Sequence, residues 1–354
     1  MRSIVVTGAS SGIGAALARR AAAHGWAVLA VARRGDRLEA LVREIVASGG
    51  RCEMLVADVL WNTAPQTIVD RAVRAFDRLD VVVNNAGAAH ASNLLEESDA
   101  EIDRQLQLHV AAPLRIARAA LPHIERGHGG LVFFGSGLAR VPAPGYGAYA
   151  PAKAAIRAAT IQLRRELHGR GVFVTYVDPG VVDTEFSLVA GMEERPAWWH
   201  AKPDAVAAAV LRGIEHRASH VNAVPWQTAA TAAGEWLPGV ADRAMANFVA
   251  PPVAAIERAQ PVAPTPPPPS TTTFDAALSP LQRRMERIKL PVSFVRTLLI
   301  PQTTIDLNDA AMRWAGMPNK NERAAMREVL DALAQAGFLE PSGAEGWRVL
   351  RGPK

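Results

Sequence analysis

Tyr149-Ala150-Pro151-Ala152-Lys153, with Ser136 thirteen residues upstream, groups three side chains suited to reducing a carbonyl or oxidising an alcohol. A phenol can hand over a proton, a hydroxyl can hold a substrate oxygen, and an ammonium can tune the phenol. A free tyrosine titrates near ~10, so a phenol working near neutral pH needs a neighbouring cation that favours the phenolate. Lys153 is placed to be that cation. If residues 149–167 form a helix, the i,i+4 spacing sets both side chains on one face, one turn apart. Taken singly, serines and lysines are mostly surface residues and a lone tyrosine usually packs. Their joint spacing carries the reading.

These groups must be held at one edge of a sheet. Short β-branched runs alternate with Ala/Leu/Arg-rich stretches over roughly the first 190 residues, which predicts a doubly wound α/β fold with a parallel sheet covered by helices on both faces. Strands are expected at Ser3–Thr7, Ala27–Ala32, Arg51–Val56, Val81–Asn84, Leu131–Gly135 and Val172–Val177, and crossover helices at segments such as Gly14–His24 and Arg37–Ser48. The near-continuous apolar runs fit strands buried on both sides.

Thr7-Gly8-Ala9-Ser10-Ser11-Gly12-Ile13-Gly14 follows the first strand and opens a helix. Glycines there allow a tight turn and close backbone approach, and the helix N-terminus offers N–H groups to a pyrophosphate. At the end of the second strand, where an NAD enzyme places a carboxylate on the ribose, stand Arg33 and Arg34, which suit a 2′-phosphate. NADP(H) is therefore expected in preference to NAD(H), although Asp36 nearby keeps NAD(H) open. Asp58-Val59 and Asn84-Asn85-Ala86-Gly87 end the third and fourth strands, at the edge where ligands sit in such sheets.

In this order the motifs resemble the short-chain dehydrogenase/reductase family over residues 1–250 or so, with Pro179-Gly180 followed by Thr184 completing the match. The resemblance implies a Rossmann fold with Tyr149 as general acid/base and Ser136 holding the substrate oxygen. Lys153 would contact the nicotinamide ribose while tuning Tyr149. The cofactor set it implies is Gly8, Ser10, Ser11, Gly12, Ile13, Gly14, Arg33, Arg34, Asp58, Val59, Asn85, Ala86, Gly87, Tyr149, Lys153, Pro179, Gly180, Val182 and Thr184, with no metal. It also implies a homo-oligomer paired through helices around residues 101–121 and 149–168. Three positions depart from the family pattern. His109 stands where the family has a catalytic asparagine, either holding the relayed water in its place or serving as a structural histidine. Gly135 replaces a frequent first serine. Pro151-Ala152 replaces the commoner Ala-Ser, at a first helical turn where proline is tolerated. Residues 186–202, with Met192, Trp198 and Trp199, occupy the family's variable substrate cover, and the Trp pair fits a substrate, packing or a dimer contact equally well.

The chain of 354 residues, 49% hydrophobic, is long enough for one large domain (1–259) and a small one (274–354). Residues 260–273, with six prolines and no charge, read as a semi-rigid linker. Cys52 is the only cysteine, so the fold rests on packing without an intrachain disulfide, and the cytoplasm is expected. The start enters a strand at once without a signal-peptide h-region, and no apolar run approaches membrane-spanning length, so no membrane contact is expected. The net charge of +5 favours solubility more than any particular partner.

The small domain reads as mostly helical and winged-helix-like: a short helix through Trp314, a turn at residues 317–321, a longer helix Glu322–Ala336 and a hairpin. Gly316 and Gly337 stand at the positions of helix C-caps. Lys320, Arg323 and Arg327 alternate with Glu322 and Glu328, a solvated face that favours protein docking or oligomer support over nucleic acid. An NADP(H)-dependent oxidoreductase acting on a small carbonyl or alcohol is the leading reading. The rival is a non-catalytic NADP(H)-sensing regulator with the small domain as protein- or DNA-binding effector. Intact Ser136, Tyr149 and Lys153 favour the enzyme.

Overall fold

The computed structural model describes residues 1–186, 199–246, 273–300, 303–315, 319–342, 346–350 and 352. Met192, Trp198, the linker at 260–272, Gly316, Met317 and Pro318, and the hairpin tip at 343–345 lie outside them. Two compact units divide the chain, Met1–Glu257 and Arg258–Lys354.

The first unit is built on seven parallel strands: β1 (Ser3–Thr7), β2 (Ala27–Ala32), β3 (Arg51–Val56), β4 (Val81–Asn84), β5 (Gly130–Phe134), β6 (Phe173–Asp178) and β7 (His220–Asn222). Their order is β3-β2-β1-β4-β5-β6-β7. Winding reverses between β1 and β4, whose carboxyl ends carry the glycine-rich string and the Asn84–Gly87 string. That is the crevice where open α/β sheets bind ligands. Every residue of β1 and β2 is buried, as their unbroken apolar runs require. The short strand β7 was not legible in advance, because it holds one buried apolar side chain, Val221.

Helices cover both faces. On one side α1 (Gly12–Ala23), α2 (Gly35–Ala47) and α7 (Pro203–Glu215) pack Leu17, Leu38, Val210 and Leu211 onto Val6, Val28 and Val83. On the other, α3 (Ala64–Phe76), α5 (Ala112–Arg126) and α6 (Tyr149–Glu166) press Ile68, Ile116 and Ile156 onto Leu29, Val82 and Phe133. Before α5, α4 (Asp99–Leu106) runs into it through a π-helical turn, Gln107–Ala111. Such turns often mark functional sites, and this one carries His109. Two further helices, α8 (Pro225–Trp236) and α9 (Pro238–Ala246), follow β7.

The second unit has its own core, with Phe274, Met285, Val295, Met326, Leu330, Phe338 and Trp347 buried. Three short helices, α10 (Phe274–Leu278), α11 (Gln282–Arg287) and α12 (Val292–Leu298), precede β8 (Thr304–Asp306), α13 (Leu307–Ala315), α14 (Lys320–Gln335), β9 (Leu339–Pro341) and β10 (Gly346–Val349). The strands form an antiparallel sheet in the order β8-β10-β9. A capping box in which Asn319 and Glu322 bond each other's backbone starts α14. Gly337, at φ +75°, follows that helix where a C-terminal glycine belongs.

Candidate active site

Helix α6 begins at Tyr149, so Tyr149 and Lys153 share a face as their spacing requires. Both are buried, with the Lys153 Nζ 5.6 Å from the centre of the Tyr149 ring. The ammonium donates to the Phe134 carbonyl at 2.8 Å, tying α6 to the end of β5. Two residues beyond that carbonyl stands Ser136, whose side chain favours ionisation of the phenol. His109 closes the group, its ring edge-on to Tyr149 at 5.0 Å. All four expected catalytic side chains therefore meet at the carboxyl end of β5.

The electrostatics differ from the expectation that Lys153 brings the phenol down. Burial pushes the Tyr149 phenol well above its ordinary value, and the Ser136 contact works in the opposite direction. Burial also lowers Lys153 to about 7. The environment thus holds Tyr149 protonated and sets Lys153 to titrate near neutrality. His109 is fully buried, and desolvation together with the Lys153 charge pushes it well below the usual imidazole value. Its Nε2 lies 2.7 Å from the Ala88 carbonyl oxygen, which can only accept. The proton of the neutral ring therefore sits on Nε2, and Nδ1 is a buried acceptor with no hydrogen-bond partner.

Gly135 is explained by Tyr176. A Cβ at residue 135 would overlap the Tyr176 ring and hydroxyl, so a serine does not fit there. The Tyr176 hydroxyl instead accepts the Ser136 N–H at 3.3 Å and fixes the backbone that carries the Ser136 side chain.

The glycine-rich string forms a cradle. Gly8 adopts φ +70°, and a Cβ on Gly14 would overlap the Gly8 carbonyl, so the backbone fits only without side chains at these points. Ser11 does not cap α1 with its hydroxyl, which accepts from Arg34 at 2.6 Å, while Ser10 accepts from the same guanidinium at 3.1 Å. Ile13 packs into the core beside them. The Thr7 hydroxyl receives the N–H groups of Asn85 and Ala86, both at 3.1 Å, and locks the β4 string against the cradle. Gly87 lies against His109, where a Cβ would meet the ring at 3.0 Å. Thr184 lies over Gly12, the methyl 3.0 Å from where a Cβ would stand, so the Pro179–Thr184 stretch reaches the cradle. Gly180 turns at φ +70° and Val182 bridges to Ala201, closing that loop. Asp58 accepts the Leu60 N–H at 3.0 Å beside partly buried Val59, and Arg33 lies 3.7 Å from its carboxylate with most of its side chain exposed.

Several neighbours were not read from the sequence. Glu185 accepts from Arg34 at 3.0 Å and Arg37 at 2.7 Å, beside the cradle. Tyr146, also unread, and Phe186, the first residue of the expected cover, flank Tyr149 at 6.4 and 5.6 Å between ring centres. Trp199 stacks edge-on to Trp226 at 4.8 Å, a packing contact for one of the two expected covering tryptophans. Position after Thr184 could have drawn attention to Glu185. Nothing local marks Trp226.

With this geometry in place, the likenesses are consistent. The short chain dehydrogenase family profile matches residues 2–193. A sulfoacetaldehyde reductase 2 of Chromohalobacter salexigens is 38% identical over 189 residues, covering 52% of this chain and 75% of the relative. A serine 3-dehydrogenase of Agrobacterium fabrum is 34% identical over 187 residues, covering 52% and 74%. Among solved structures, a short chain dehydrogenase from Burkholderia cenocepacia in complex with NADP superposes with a TM-score of 0.57 at 35% identity, covering 62% of this chain and 95% of that one. One from Sphingobium yanoikuyae in complex with NADPH gives 0.59 at 29% identity, covering 70% and 96%. The chain belongs to the short-chain dehydrogenase family of oxidoreductases. No helix among its described residues is long and apolar enough to cross a membrane.

Proposed function

We propose that the protein is an NADP(H)-dependent oxidoreductase that interconverts a small carbonyl compound and its alcohol, with Tyr149 as the general acid/base. The observation that carries this is the convergence of buried Tyr149, Lys153 and His109 with half-buried Ser136 beside the glycine cradle. Gly8, Gly12 and Gly14, with the N-terminus of α1, would hold the pyrophosphate, Arg33 and Arg34 the 2′-phosphate, and Asn85–Gly87 and Pro179–Thr184 the nicotinamide end. When bound, the nicotinamide supplies or accepts the hydride. The protein's own part is to hold the substrate oxygen between the Ser136 and Tyr149 hydroxyls and to move a proton through Tyr149. The NADP- and NADPH-bound relatives support the cofactor preference.

Proton supply follows from His109. Its neutral Nδ1, unpartnered and buried near Lys153, is suited to holding a water that hands a proton to the Lys153 amine. His109→Asn, which keeps an acceptor, is expected to retain most activity, and His109→Phe to lower kcat by about tenfold or more. Equal turnover in both variants would leave His109 a packing residue.

Lys153 sets a pH limb. Its value falls from an ordinary 10.5 to about 7, so the ammonium is present below about 7 and lost as pH rises through it. The kcat/KM for carbonyl reduction is expected to fall as pH rises above about 7. A profile flat from pH 6 to 9, measured at saturating NADPH, would remove Lys153 from the relay.

The same proposal assigns residues 274–354 as a winged-helix-like accessory module for protein docking or oligomer support, joined by the linker at 260–273, with subunits paired through the helices around residues 101–121 and 149–168. The order α13, α14, β9, β10 with β8 alongside supports that reading. A screen of NADPH oxidation against aldehydes and ketones, run beside Tyr149→Phe, tests the activity. Turnover equal in the two proteins, or absent from both despite tight NADPH binding, would overturn it.

A further inference from the structure

Glu97 is a carboxylate with no exposed side-chain surface. Its Oε2 accepts the backbone N–H of Ala148 at 2.6 Å, while Oε1 is buried without a hydrogen-bond partner, with His90 Nδ1 3.8 Å away. A polar group so placed, with one oxygen unpaired, costs folding energy that an apolar side chain of the same size would not. Its position suggests what it does.

Ala148 immediately precedes Tyr149, the first residue of α6, and an alanine has no side chain with which to cap a helix. Its carbonyl accepts from Ala152 and its N–H goes to Glu97, so the peptide that leads into Tyr149 is held at both ends. The carboxylate also lies at the positive end of the helix, where an anion is favoured. Around it the loop before α4 is strapped to the loop before α6: Ser92 N–H donates to the Gly145 carbonyl at 3.1 Å, and Gly147 N–H donates to the Ser92 carbonyl at 2.9 Å. Gly147 adopts φ +43°, and a Cβ there would lie 2.5 Å from Glu97 Oε1. The glycine before the catalytic helix thus makes room for the carboxylate.

The ligand atoms of His90, Glu97 and Glu101 lie within 4.8 Å of one another, the spacing of a cation site. Glu101, however, already accepts from Arg104 Nε and Nη2, at 2.7 and 2.6 Å, and from Gln105 at 2.7 Å. A metal ion there would face a guanidinium. The remaining role for the buried carboxyl group is the Ala148 bond.

We propose that Glu97 is a positioning residue that caps the catalytic helix from outside and fixes the Tyr149 phenol relative to Ser136 and His109. This rests on Tyr149 being the proton donor. A displacement of the order of one ångström at a reacting group lowers rate far more than binding, so the effect falls on kcat.

The test uses the full chain as wild type, Tyr149→Phe, Glu97→Gln and Glu97→Ala, with three readouts. These are kcat and KM for a carbonyl found in the screen, the NADPH Kd by fluorescence titration, and amide hydrogen exchange of the peptide spanning residues 145–152. Glu97→Ala is expected to exchange about tenfold faster in that peptide, the equivalent of one hydrogen bond. Its kcat is expected to fall by about 10- to 100-fold, with the NADPH Kd and the exchange of residues 1–14 unchanged. Glu97→Gln, whose amide oxygen can accept from Ala148, should restore both. Wild-type exchange or wild-type kcat in Glu97→Ala overturns the proposal, and so does a Glu97→Gln as impaired as Glu97→Ala. Full turnover in Tyr149→Phe removes the proton donor itself, while the exchange data still report whether Glu97 holds Ala148.

Discussion

Tyr149→Phe is expected to lower kcat for carbonyl reduction by about 10²- to 10⁴-fold while NADPH binds as before. The substitution is a clean one here. The ring keeps its edge contact with His109 at 5.0 Å and its packing against Phe186 and Tyr146, so only the hydroxyl is lost. Burial keeps the phenol protonated across neutral pH, so reduction finds the acid already in its working form. Oxidation of the alcohol must first draw that proton away, and its rate should climb with pH where the reductive rate does not. Paired measurements of kcat in both directions and of the NADPH Kd check this. A Phe variant with wild-type turnover would place the proton donor elsewhere.

The fold was legible where burial imposed a simple pattern. β1, β2 and β4 begin and end at the expected residues because every residue in them is buried, and β3, the partly exposed edge strand, matches its expected bounds as well. β5 and β6 each start and end one residue from expectation, an ordinary uncertainty at element ends. β7 was hidden because one buried valine makes no pattern.

The site divides along the same line. Tyr149, Lys153, Ser136 and the glycine string were readable because their chemistry is local, set by a helical turn or a strand end. The contacts that tune them are distant in sequence. Glu97 bonds Ala148 across 51 residues, and Tyr176 reaches Ser136 across 40. The direction of the Tyr149 shift was also hidden, since spacing reveals that a cation stands one turn away but not how far water is excluded from the pair. In the second unit, Thr304–Asp306 is too short to signal a strand, and it forms because β10 offers an edge for it.

Arg34→Ala is expected to weaken NADPH binding by roughly 10- to 150-fold and to leave NADH binding essentially unchanged. The loss is that of charge-assisted hydrogen bonds to a phosphate, about 1.5–3 kcal/mol, and the 2′-phosphate is what distinguishes the two cofactors. Arg34 is already oriented for it by the Ser10 and Ser11 hydroxyls. It is also engaged by an anion of the protein itself. Glu185 bonds Arg37 and Arg34, which hold its carboxyl below the usual range and keep it charged at neutral pH. An arriving phosphate must share or displace that carboxylate. Glu185→Gln should therefore move affinity in the direction opposite to Arg34→Ala, tightening NADPH by removing a competing charge while NADH changes less. Increasing salt should narrow the gap between the variants, since the guanidinium and carboxylate are partly exposed. Fluorescence titration of both cofactors against wild type, Arg34→Ala and Glu185→Gln decides the matter. An Arg34→Ala that weakens NADPH and NADH equally would mean that the guanidinium braces the cradle through Ser10 and Ser11 and does not read the phosphate.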